Sequence, residues 1–143
     1  LRGFARFKMG NQEAAFEDCS NALTLEPKTV SAMLVRATIN LERGKIAEAL
    51  AESTQALKLD PSQSWSYVIQ GSALLSSGRK DEALKVLDQA VALAPADGGA
   101  RMARGKCLAA LGRGAEARAE IEKARSLDGT LTHEAQAALE KIK

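Results

Sequence analysis

The chain has 143 residues, of which 27% are charged, and a formal net charge of +2. That length corresponds to one ordinary domain, and the balanced charge excludes the strong basic stripe that marks nucleic-acid binders. Aromatic residues make up only 3%, which argues against an aromatic stacking platform and for close contacts between small side chains.

Residues 1–29 carry four basic and four acidic side chains, residues 30–97 seven and eight, and residues 98–143 nine and six. The basic excess is therefore mild and C-terminal. No apolar run approaches the roughly 18–20 residues of a membrane span, so no membrane insertion is expected. The opening LRGFARFKMG has no apolar signal-peptide core.

One interval organises the chain. Gly10, Gly44, Gly78 and Gly112 stand 34 residues apart. Ala15, Ala49, Ala83 and Ala117 keep the same interval, as do Ala22, Ala56, Ala90 and Ala124. So do Gly3, Ala37, Gly71 and Gly105, and also Pro27, Pro61 and Pro95, with Gly129 completing that last column. Small residues fixed at five columns of one period predict an all-α repeat array, a binding surface more than a catalytic pocket.

The first unit, 1–29, keeps only the end of its first helix, Leu1 to Met9. The chain is thus expected to be a piece of a longer array with an open N-terminal end. In the second unit, 30–63, Met33, Leu34, Ala37 and Leu41 recur at helical spacing and predict a helix from Ser31 to Arg43. Gly44 ends it, because glycine takes the left-handed C-cap conformation without a steric penalty. A second helix follows from Ile46 to Leu59, with Ala49, Leu50, Ala56 and Leu57 on its buried stripe. Pro61 then blocks continuation. The third unit, 64–97, repeats this with helices Trp65–Ser77 and Asp81–Leu93. The fourth, 98–131, gives Ala100–Leu111 and Ala115–Leu127.

Residues 132–143 leave the period, since Leu139 takes the column of Gly3, Ala37, Gly71 and Gly105. Ala135, Ala138, Leu139 and Ile142 fit one helical face, and Glu134, Glu140, Lys141 and Lys143 lie off it. This predicts a capping helix over the last repeat. Cys19 and Cys107 lie among apolar helical positions, read as small buried residues too many helices apart to bond.

The pattern resembles the tetratricopeptide repeat family over essentially all of residues 1–131. The stretches that carry the resemblance are MGNQEAAFEDCSNALTLEP (Met9–Pro27), RGKIAEALAESTQALKLDP (Arg43–Pro61) and SGRKDEALKVLDQAVALAP (Ser77–Pro95), with a looser LGRGAEARAEIEKARSLDG (Leu111–Gly129). The first helices depart from it. Met33, Tyr67 and Arg101 stand where the family often has Trp, and Arg2, Arg36, Gln70 and Arg104 where it often has Leu. Those arginines are expected to lay their stems on neighbouring helices with their heads in solvent. The resemblance implies a right-handed superhelix, first helices lining the concave face and second helices the convex one. It also implies a scaffold that binds extended or helical segments of partner proteins, with no catalysis by the repeat itself.

The matching concave positions are Phe4, Phe7 and Lys8; Ser31, Leu34, Thr38, Leu41 and Glu42; Trp65, Val68, Ser72, Leu75 and Ser76; and Met102, Lys106, Ala109 and Ala110. This surface is mostly apolar or small. Leu34, Thr38, Trp65, Val68, Ser72, Met102 and Lys106 are the expected partner-binding residues, with Trp65 as the aromatic anchor. A subset of the family clamps acidic chaperone tails with Lys, Asn and Arg. The corresponding register here offers Leu34, Thr38, Ile69, Gly99 and Ala103, so chaperone-tail binding is not expected.

His133, the only histidine, belongs to the tail helix and gathers no nucleophile or metal set. No enzyme activity, metal or cofactor is expected. RNA recognition would need a basic groove, and this groove is nearly uncharged. Self-association through the open N-terminal end is the alternative function, within a larger protein whose activity lies elsewhere. The sparse cysteines favour a cytoplasm and leave a bacterial periplasm open.

Overall fold

The structure, a computed structural model, describes residues 10–142. The expected helix Leu1–Met9 and the concave positions Phe4, Phe7 and Lys8 lie outside the described residues. The helices are α1 (Gln12–Leu25), α2 (Val30–Glu42), α3 (Ile46–Leu59), α4 (Ser64–Ser76), α5 (Lys80–Leu93), α6 (Gly98–Ala110), α7 (Gly114–Leu127) and α8 (Thr132–Glu140). A 3-10 turn, Gly129–Leu131, precedes α8. There is no strand among the described residues.

Helix boundaries follow local chemistry. At Gly44, Gly78 and Gly112 the backbone has φ of 75°, 81° and 77°. In this left-handed conformation the chain turns out of a first helix within two residues, and the amide N–H after the glycine reaches back, as from Arg79 to the Leu74 carbonyl at 2.9 Å. The first helices start one to two residues earlier than their apolar pattern suggested. Asp97 explains this for α6: its carboxylate accepts from the Gly99 and Ala100 amides and holds both glycines inside the helix.

Each helix packs on its neighbours in sequence, and the first helices α2, α4 and α6 also pack on one another in succession. The core is accordingly a chain of small clusters. Ala15, Cys19, Ala32, Val35 and Ile39 form one, Met33, Leu34, Ala37, Ala56 and Ile69 the next. Leu74, Ala83, Leu87 and Cys107 form another, and Met102, Ile121, Ala124 and Ala135 the last, against which Leu131, Ala138, Leu139 and Ile142 also pack. The expected apolar face of the tail helix is therefore the face it buries. Both cysteines are buried and free, and burial pushes both thiols up.

The small columns are contact points matched in volume to what faces them. A methyl group on Gly71 would lie 2.5 Å from the Leu87 Cγ, and one on Gly105 would lie 2.6 Å from the Ile121 Cγ1. In the second unit the same column carries Ala37, and Ser53 stands where Leu87 and Ile121 stand. The larger residue in one column is offset by the smaller in the other, which keeps the helix spacing constant along the array.

Candidate protein-interaction groove

The first helices α2, α4 and α6 make one continuous wall, and α8 closes its C-terminal end. Between α4, α6 and α8 lies a hollow of about 190 Å³ lined by Val68, Ser72, Met102, Lys106, Leu131 and Glu134, among others. Four of the seven expected binding residues thus meet in one place. Lys106 is exposed, and its ammonium pairs with the Glu134 carboxylate of α8. The lysine therefore contributes no free charge, and the hollow is close to neutral.

The other expected residues lie deeper or to one side. Leu34 and Met102 are only 2% and 3% exposed, so they form floor and core more than contact surface. Trp65 is half-buried and packs against the clusters containing Val35 and Leu34. Its ring is an extension of the core with one accessible side. Thr38 is half-buried, and its hydroxyl donates to the Leu34 carbonyl at 2.8 Å. His133 is exposed near the start of α8.

The arginines differ from expectation. The heads of Arg36 and Arg104 pair with carboxylates of the second helices, while 27% and 32% of their side-chain surfaces stay exposed. The Arg36 guanidinium pairs with Glu52 of α3 and donates to the Ser20 hydroxyl of α1 at 3.4 Å. Arg104 pairs with Glu120 of α7 at 2.9 Å and with Asp88 of α5 at 2.8 Å. Arg101 reaches the other Glu120 oxygen at 2.6 Å. Arg36 and Arg104 thus each join a first helix to the second helices on both sides. A charge taken out of water needs a partner at close range, and Glu52 and Glu120 supply it. Burial still pushes the Glu52 carboxyl above its ordinary value, against the opposing pull of Arg36 and Asn40.

One further pair went unread in the sequence. The Tyr67 hydroxyl donates to the Pro61 carbonyl at 3.1 Å, and the Arg101 Nε donates to the Pro95 carbonyl at 2.7 Å. Different side chains in one column thus anchor the helix to the preceding proline turn. The signal lay in the constant six-residue step back to the proline.

A wall of first helices backed by second helices, with a near-neutral hollow and no strand among the described residues, defines a helix-pair solenoid of the protein-interaction type. A family model described as Tetratricopeptide repeat matches residues 70–130, and one described as Bacterial transcriptional activator domain matches residues 8–94. The match over residues 70–130 and the solved tetratricopeptide repeat structures together support a tetratricopeptide-repeat protein.

Solved structures agree on the fold. The tetratricopeptide repeat protein TTC0263 of Thermus thermophilus is 24% identical, covering 98% of this chain and 77% of that one with a TM-score of 0.86. The first repeat domain of Spaghetti (RPAP3), bound to the HSP90 peptide SRMEEVD, is 25% identical, covering 79% of this chain and 89% of that one at 0.71. The TPR2B domain of yeast Sti1, in its pHsp70 complex, is 18% identical, covering 79% and 94% at 0.72. No curated protein matches the chain in sequence. Proteins of this family and fold are typically non-catalytic interaction modules. No helix of the described residues is long and apolar enough to cross a membrane.

Proposed function

We propose that this chain is a protein-interaction scaffold whose first-helix groove holds an apolar segment of a partner protein. The observation that carries this reading is the hollow where Val68, Ser72, Met102 and Lys106 converge between α4, α6 and α8. Val68 and Ser72 form its accessible wall. Trp65 presents an aromatic face further along the same helix. Leu34 and Met102 act as floor, and Thr38 as a polar position beside them. Because Lys106 is neutralised by Glu134, recognition rests on apolar contact and depends weakly on salt.

The test is a pull-down with the wild-type chain and Ser72→Arg, repeated at low and high salt. A partner held by wild type at both salts and lost by the folded variant supports the reading. A partner held equally by both overturns it. The peptide SRMEEVD serves as the counter-probe. With Leu34, Thr38, Ile69, Gly99 and Ala103 in the clamp register, no detectable affinity is expected, and saturable binding would contradict the apolar-groove reading.

The match of residues 8–94 to the Bacterial transcriptional activator domain supports a second reading, an assembly module within a larger bacterial regulatory protein. Self-association through the N-terminal end would act through residues outside those described. Mass by light scattering across a concentration series tests it, and a constant monomer mass would remove it.

A further inference from the structure

The three junctions between successive second helices are built alike but filled differently. In the junction of α1 and α3, the Arg36–Glu52 pair crosses from α2 and divides the crevice. A smaller hollow of about 280 Å³ remains on its far side, beside Leu23 and Met33. In the junction of α5 and α7, Arg104 pairs with both Asp88 and Glu120. In the middle junction the same columns carry Gln70 and Val86. Gln70 donates to the Thr54 hydroxyl at 3.1 Å, and no ion pair crosses among the described residues. A hollow of about 480 Å³ is left between α3 and α5, with α4 as its floor.

Leu50 of α3, Leu74 of α4 and Val86 of α5 give the hollow apolar surface, and Thr54 and Gln70 give it polar groups. Its rim carries Arg79, Glu82 and Lys85. Arg79 is held by Glu82 through two hydrogen bonds, at 2.9 and 2.6 Å. Lys85 is exposed and makes no hydrogen bond or ion pair among the described residues. The rim's two cations and one carboxylate therefore leave a net positive charge over apolar walls, with Lys85 unpaired though within electrostatic reach of Glu82. In the neighbouring junctions the array fills this place with its own side chains; here it leaves the place open to a side chain from elsewhere.

We propose that the crevice between α3 and α5 is a second docking site, on the face opposite the first-helix groove. It takes a partner-protein segment that presents a leucine-sized apolar side chain beside a carboxylate. The apolar side chain enters between Leu50, Leu74 and Val86, and the carboxylate lies against Lys85. This site acts independently of the groove and survives if the groove reading fails.

The test uses a capped peptide of alternating leucine and aspartate, titrated while the methyl resonances of Leu50, Leu74 and Val86 are followed by NMR. Saturable shifts at those methyls, with none at Val68 and Met102, are expected. Gln70→Arg combined with Val86→Glu rebuilds the neighbouring ion pair in the crevice and should weaken binding by about tenfold or more. Lys85→Glu, at an exposed position, should weaken it while leaving the fold untouched. Shifts that persist undiminished in both variants, that move to Val68 and Met102, or that do not saturate would overturn the proposal.

Discussion

The third and fourth repeats share one backbone plan and differ in how they fill it. Both set a glycine of the first helix against a large aliphatic of the second, Gly71 on Leu87 and Gly105 on Ile121. Around that shared contact the fourth repeat is polar and cross-linked. Glu120, 9% exposed, ties two arginines of α6 to α7. The third repeat has Gln70 and Val86 instead and keeps a crevice. The difference shows that the small columns fix helix spacing, while the columns beside them decide whether ion pairs cross a junction.

The shared contacts should dominate stability. Ala83 is fully buried against Leu74 and Leu87. Ala83→Leu should therefore cost about 3 kcal/mol by overpacking, whereas Ala47→Leu, at an exposed position, should change the thermal midpoint little. Equal effects would show that the small column is not an interface.

The polar junction should come next. Glu120→Gln removes the carboxylate shared by Arg101 and Arg104 and should cost about 2 kcal/mol, less than for a fully buried pair because both guanidinium groups keep some solvent and Arg104 keeps Asp88. Chemical denaturation measures it, and an unchanged midpoint would mean that the arginines only rest on the surface. Ser66 occupies a column otherwise held by the buried Ala32 and Ala100, and its buried hydroxyl has no hydrogen-bond partner among the described residues. Ser66→Ala should stabilise the chain by about 1 kcal/mol, read in the same assay, and a loss of stability would show that the hydroxyl is satisfied.

The second repeat adds a pH test of a junction crossed by an ion pair. Burial raises the folded-state value of Glu52, so between its ordinary value and the raised one the folded chain binds more protons than the unfolded chain. This group's contribution to stability is fully present below the ordinary carboxyl value and declines as pH rises through the folded one. Glu52→Gln should remove that decline. Denaturation midpoints of the two chains across mildly acid pH measure the difference, and parallel profiles would contradict it.

Periodicity made the architecture legible. Glycines at φ near +80°, prolines after second helices and the buried alanines Ala49, Ala56, Ala83, Ala90, Ala117 and Ala124 stand at the columns the 34-residue interval marked. The arginines were visible as departures, but their partners were not. Glu52 and Glu120 lie 16 residues on, a spacing that connects helices in space and has no meaning along a single helix. The groove was legible as a set of first-helix positions. Their depth was not, because helical spacing alone does not separate Leu34 and Met102, which are buried, from Val68 and Ser72, which line an opening. That distinction comes from which neighbouring helices, α8 among them, pack over each position.

The most direct test of the groove is site-specific photo-crosslinking in source cells, with the crosslinker placed at Ser72 in one chain and at Ala47 in another. The account predicts a discrete partner adduct from Ser72 and none of the same mass from Ala47. An adduct from Ala47 alone, or the same adduct equally from both, would contradict recognition by the first-helix groove.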